Sequence, residues 1–94
     1  MIVLLQISAP AARFYKREME LNDGDGLKLF VRYGGMFDYS YSLGVEKGLP
    51  TEDDIIKTVN GIMFFTSPDD LWFTDHILLD FDEEESELVL LRTA

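Results

Sequence analysis

The sequence predicts a small α+β domain, with a mostly antiparallel β-sheet or open barrel, one N-terminal helix and one short second helix. Three observations carry that prediction. Ala11, Phe14, Tyr15 and Met19 recur at three- and four-residue spacings, the signature of one apolar helical face. From Leu27 the period drops to two, the alternation of a strand. Asn60-Gly61 then sits between two apolar runs, and this pair best tolerates the positive φ angles of a two-residue type I′ hairpin.

The elements follow in order. Ile2 to Ile7 reads as a short strand that ends at Ser8. Ser8 is an N-cap, and Pro10 fits the first turn, where backbone N–H groups have no helical partner. Arg13, Lys16 and Arg17 fall on the outer face of this helix, which should stop near Leu21 because Asn22-Asp23-Gly24-Asp25-Gly26 is dense in turn formers. Leu27, Leu29, Val31 and Tyr33 share one face of the next strand, with Lys28, Phe30 and Arg32 on the other. Gly34-Gly35 breaks it, and a strand from Tyr39 to Val45 follows. After the loop Lys47-Gly48-Leu49-Pro50 and the acids Glu52-Asp53-Asp54, Ile55 to Val59 and Ile62 to Phe65 form the hairpin. Ser67-Pro68-Asp69-Asp70 caps a helix of one or two turns through Leu71, Trp72 and Phe73. Ile77, Leu79 and Phe81 alternate with Leu78, Asp80 and Asp82, and an acidic turn leads to a last strand around Leu88 to Leu91. No linker or repeat divides the chain, so residues 1–94 are expected to form one domain.

The totals narrow the function. Ninety-four residues can bury a core without staples, and a hydrophobic fraction of 47% fits a folded chain. Eighteen acidic residues against eight basic ones give a net charge of −10, which repels phosphate backbones and argues against nucleic acid. The opening apolar run has no basic flank and is too short for a membrane span, so a cytoplasmic location without membrane contact is expected. With no cysteine there is no disulfide, thiolate metal site or thiol nucleophile.

Candidate chemistry is correspondingly sparse. Asp23-Gly24-Asp25-Gly26 is a turn without a phosphate loop or a calcium-loop pattern. Ser67 lacks a nucleophile-elbow context and is explained as a helix cap. His76, the single histidine, stands beside Asp75, and Asp80 and Asp82 share a strand face nearby. These four residues are the candidate metal ligands, although a metal site needs several donors to converge. Glu83-Glu84-Glu85 with Glu87 reads as a solvated run that protects a strand edge or docks a basic partner. Gly34, Gly35, Met36 and Phe37, with Arg32 and Tyr39 beside them, form the candidate binding turn.

Read together, ISAPAARFYKREM, GLKLFVRYGG with YSYSLG, EDDIIKTVNGIMFF, DLWFTD and LLDFDEEESELVL resemble the HesB/IscA-like superfamily, the A-type iron–sulfur carriers and their relatives, over nearly the whole chain. The resemblance implies a β-rich domain with a flanking helix. Carriers of that family place one cysteine just after the glycine turn and a Cys-x-Cys pair near the C-terminus. The first position aligns with Met36 and the other two have no counterpart, so no cluster ligand carries over. The chain is therefore similar to a cysteine-free branch of the family.

The expectation is a non-enzymatic module that binds a protein partner or small ligand, or forms a homodimer, and carries no cofactor. The alternative is an iron–sulfur assembly-related or mononuclear metal protein that uses carboxylates and His76.

Overall fold

A computed structural model describes residues 6–33, 41–75 and 77–92. Strand β1 (Gln6–Ile7) leads into helix α1 (Ala9–Glu18), followed by β2 (Gly26–Tyr33) and β3 (Tyr41–Lys47). The hairpin strands β4 (Ile55–Val59) and β5 (Ile62–Thr66) come next. A 3₁₀ turn over Pro68–Asp70 runs into α2 (Leu71–Thr74), and β6 (Ile77–Asp82) and β7 (Glu87–Arg92) complete the chain. The order agrees with the sequence reading, and the strands form open sheets. Neither helix is long and apolar enough to cross a membrane.

Among the described residues two sheets form, with orders β1-β6-β7 and β3-β2-β5-β4. Three neighbouring pairs are antiparallel and two, β1 with β6 and β2 with β5, are parallel. Parallel partners cannot be joined by a tight turn, so each lies far from its neighbour in sequence. The hairpin behaves as its turn residues dictate: Asn60 and Gly61 both have positive φ, 52° and 81°.

One apolar cluster spans both sheets. Ala11, Ala12 and Tyr15 of α1 meet Ile7, Ile77 and Leu79 from one sheet and Leu27, Leu29, Val31, Ile62 and Phe64 from the other. Leu27, Leu29, Ile62, Phe64 and Leu79 are wholly buried. Each contributes about 1.5–3 kcal/mol by leaving water, more than an exposed ion pair supplies. The opposite face of β5 is covered too: Phe65 is 2% exposed. The Gly48 N–H donates to the Gly26 carbonyl at 3.2 Å, which brings the β3–β4 connection alongside β2.

Helix α1 is fixed at both ends. Ser8 Oγ accepts the Ala11 N–H at 3.2 Å, as an N-cap should, and donates to Asp80 Oδ1 at 2.5 Å. The Ser8 N–H also donates to the Leu79 carbonyl at 2.9 Å. One residue thereby ends β1, starts α1 and attaches both to β6. At the other end the helix stops at Glu18, three residues before Leu21. Glu20 has φ 53°, its N–H donates to the Arg17 carbonyl at 3.4 Å, and the Leu21 N–H donates to the Lys16 carbonyl at 2.9 Å. This is a Schellman closure with buried Leu21 as its apolar contact. Lys16 continues outward to the Asp23 carboxylate and the Asn60 carbonyl, joining α1 to the β4–β5 turn.

Two consequences are measurable. A left-handed position suits glycine, so Glu20→Gly should raise stability by about 0.5–1 kcal/mol in urea or thermal melts, after the extra freedom glycine gives the unfolded chain is subtracted. Asp80 titrates below its ordinary value, because the Ser8 hydroxyl and then the Phe81 N–H favour its carboxylate. The unfolded chain takes up that proton first, so the stabilisation is complete above the usual aspartate range and is lost as pH falls through the folded value. The urea midpoints of wild type and Asp80→Asn should therefore differ at neutral pH and converge in acid.

Candidate functional site

The centre of the expected binding turn, Gly34, Gly35, Met36, Phe37 and Tyr39, lies outside the described residues. The structure does place Arg32, which leads into it. Arg32 is exposed near the end of β2 and pairs in register with Ser42 of β3. No acid among the described residues lies within ion-pair distance of it. Its neighbour Phe30 lies across Gly44, where an added Cβ would stand 2.5 Å from the Phe30 ring and 2.7 Å from Arg32 Cδ. Gly44 thus lets an aromatic ring and the arginine stem lie flat on β3. Tyr33 follows, 70% exposed. This end of β2 presents a cation beside aromatic surface, a pairing common where proteins meet.

The four candidate metal ligands are placed unevenly. His76 lies outside the described residues. Asp75 follows α2, with its Oδ1 buried and without a hydrogen-bond partner among the described residues. Asp80 is occupied by Ser8 and by the Phe81 N–H, at 2.5 and 2.8 Å. Asp82 Oδ1 accepts from the Glu84 and Glu85 N–H groups at 3.0 and 3.3 Å, closing the acidic turn. Among the described residues no three acidic or histidine side chains converge as a metal cage.

A second feature was not singled out by the sequence. Between α1 and the β6–β7 turn lies a groove of about 530 Å³, lined by Pro10, Arg13, Phe14, Arg17, Phe81 and Glu83 among others. Phe14 stacks on Phe81 with ring centres 4.7 Å apart and planes 22° from parallel. Arg13 reaches Glu83 across the opening at 3.3 Å, and Arg17 turns to Glu18 at 3.9 Å. The helical period marked Phe14, and alternation marked Phe81. Nothing local in the sequence joins two residues so far apart.

Three comparisons bear on this geometry. Residues 3–94 match the family described as iron-sulphur cluster biosynthesis. A Bacillus subtilis (strain 168) protein named pyruvate dehydrogenase inhibitor is 37% identical over 89 residues, covering 90% of this chain and 94% of that protein. An uncharacterised protein of Staphylococcus saprophyticus is 32% identical over 91 residues, covering 89% and 93% of the two chains. The crystal structure of Escherichia coli SufA, involved in biosynthesis of iron-sulfur clusters, superposes with a TM-score of 0.64. It is 22% identical and covers 94% of this chain and 77% of that one, a likeness of fold.

Protein-held iron–sulfur clusters are bound by thiolates, with histidine replacing some in one class. This sequence has no cysteine and one histidine, and Met36 offers a neutral thioether. The residues present do not fit a thiolate-held cluster. In sequence and in fold the chain nonetheless belongs to the iron-sulphur cluster biosynthesis family, as a member without cysteine.

Proposed function

We propose that this protein is a non-enzymatic binding module that docks on a partner enzyme and restrains it, with a pyruvate dehydrogenase-type complex as the first candidate. The observation that carries this reading is the 37% identity, over 90% of the chain, to a protein named for inhibiting that enzyme. The composition supports it: a family scaffold without thiolates keeps its shape while losing the donors that cluster transfer needs. In this reading Arg32, Gly34, Gly35, Met36, Phe37 and Tyr39 form one contact with the partner. An exposed arginine beside aromatic residues is the composition that supplies most binding energy in protein interfaces.

The test is direct. The full chain is titrated into purified pyruvate dehydrogenase complex from the organism that encodes it, and turnover is followed. Saturable loss of turnover is expected, and Arg32→Ala with Phe37→Ala should weaken the inhibition roughly tenfold or more. Unchanged turnover at large molar excess of the protein rejects the reading.

The assembly-related alternative predicts a different outcome. Anaerobic incubation with ferrous iron and sulfide, followed by desalting and iron quantitation, should leave the protein colourless and essentially iron-free. A stoichiometric cluster with visible absorption would overturn the non-cluster assignment.

A further inference from the structure

Helix α1 is basic in an acidic chain. It carries Arg13, Lys16 and Arg17 against the single acid Glu18, whereas the whole sequence has eight basic and eighteen acidic residues. Lys16 is engaged by Asp23 and the Asn60 carbonyl. Arg13 and Arg17, four residues apart and therefore on one helical face, border the groove above the Phe14–Phe81 stack.

The acids that hold these arginines are easily exchanged. The Arg13 and Glu83 side chains are 54% and 66% exposed, and those of Arg17 and Glu18 are 66% and 58% exposed. Exposed pairs of this kind are worth about 0–1 kcal/mol, so an incoming carboxylate can take their place at little loss. Beyond Glu83 the surface turns acidic: Asp80, Asp82, Glu83 and Glu84 line the adjoining depression. The groove itself balances Arg13 and Arg17 against Glu18 and Glu83, whereas the depression holds acids and no base, so of the two surfaces the α1 side is the one that accepts a carboxylate once its own acids are displaced. The half-buried Phe14 and Phe81 rings supply the apolar wall that an aromatic side chain prefers.

We propose that the groove between α1 and the β6–β7 turn docks an acidic segment of a partner protein that carries an aromatic residue. The ring packs against Phe14 and Phe81, and the flanking carboxylates pair with Arg13 and Arg17. Glu83 is an internal competitor that occupies Arg13 until the partner arrives. No residue of β2 or β3 lines this groove, and the inference rests on the protein-binding reading above while naming the chemistry of the segment recognised.

The probe is a fluorescein-labelled peptide of sequence Glu-Asp-Phe-Glu-Asp, with Glu-Asp-Ala-Glu-Asp and Lys-Lys-Phe-Lys-Lys as controls, read by anisotropy against the full chain. The first peptide should bind about tenfold more tightly than either control and weaken as salt is raised. R13A/R17A should lose about tenfold in affinity. E83Q should gain about two- to fivefold, because it removes the competitor while keeping the side chain's size. A gain of affinity cannot come from misfolding, so E83Q keeps the test decisive even if the double variant is unstable. Equal binding of the three peptides, or unchanged affinity in both variants, overturns the groove assignment.

The same variants enter the enzyme titration. Inhibition by wild type that R13A/R17A reproduces in full would refute the groove while leaving the inhibitory function standing. Specific peptide binding without inhibition would do the reverse.

Discussion

The fold turns on Ser8. Its hydroxyl receives the Ala11 N–H and donates to Asp80, and its own N–H reaches the Leu79 carbonyl. One side chain thereby satisfies an N–H of the first helical turn and a carboxylate oxygen of β6 at once. The direction in which α1 leaves β1 follows from that node. So does the placement of Phe14 over Phe81 and of Arg13 opposite Glu83, contacts that span 67 and 70 residues of chain. Core burial supplies most of the energy, but apolar contact alone tolerates sliding. The polar node sets the register between helix and sheet.

Much of this was legible in the sequence where the determining physics is local. Helical spacing in Ala11 to Met19, alternation in β2 and β6, and the paired turn residues Asn60-Gly61 each act within a few positions, and each element formed as expected. Ser8 and Ser67 read as caps from sequence because an N-cap bonds only two or three residues ahead. What stayed hidden depends on distance. The parallel pairings β1–β6 and β2–β5 have no turn signature, since their partners are joined through other elements. The helix end is a subtler case. Turn formers begin at Asn22, but the chain leaves the helix earlier through Glu20 in a left-handed conformation. A buried Leu21 contact holds it there against the intrinsic preference of glutamate.

The candidate site divides along the same line. Asp80 and Asp82 looked alike as alternate residues of one strand, yet neighbours give them different work. Asp80 is held by a serine seventy-two residues away, while Asp82 caps its own turn. Only the second contact is local enough to be visible in spacing. Arg13 and Arg17 read as an ordinary solvated helix face until the β6–β7 turn is set beside them. The cysteine count, by contrast, is pure composition and needs no structure to exclude thiolate ligation.

In the binding reading proposed above, what matters on this scaffold is its surface. A carrier must present donors that hold and release a cluster, and those donors define a few points. A binding module must instead present a pattern of charge and shape. An excess of acids over most of the chain, interrupted by a basic helix, is such a pattern. In that reading the long-range field of an acidic chain repels nucleic acid and acidic surfaces, and the basic helix is where that repulsion is weakest. Short-range selection then falls to groups that are weakly paired with their own acids, because only those can change partners without leaving a buried charge behind. Arg13 meets both conditions, since it sits on the basic element and its bond to Glu83 is exposed to water. The Asp80 contact with Ser8, made between half-buried groups at the helix start, is instead suited to permanence. The division of labour among the acids follows: Asp80 and Asp82 are held in the fold's own hydrogen bonds, and Glu83, exposed at the turn, is the one the proposed segment displaces.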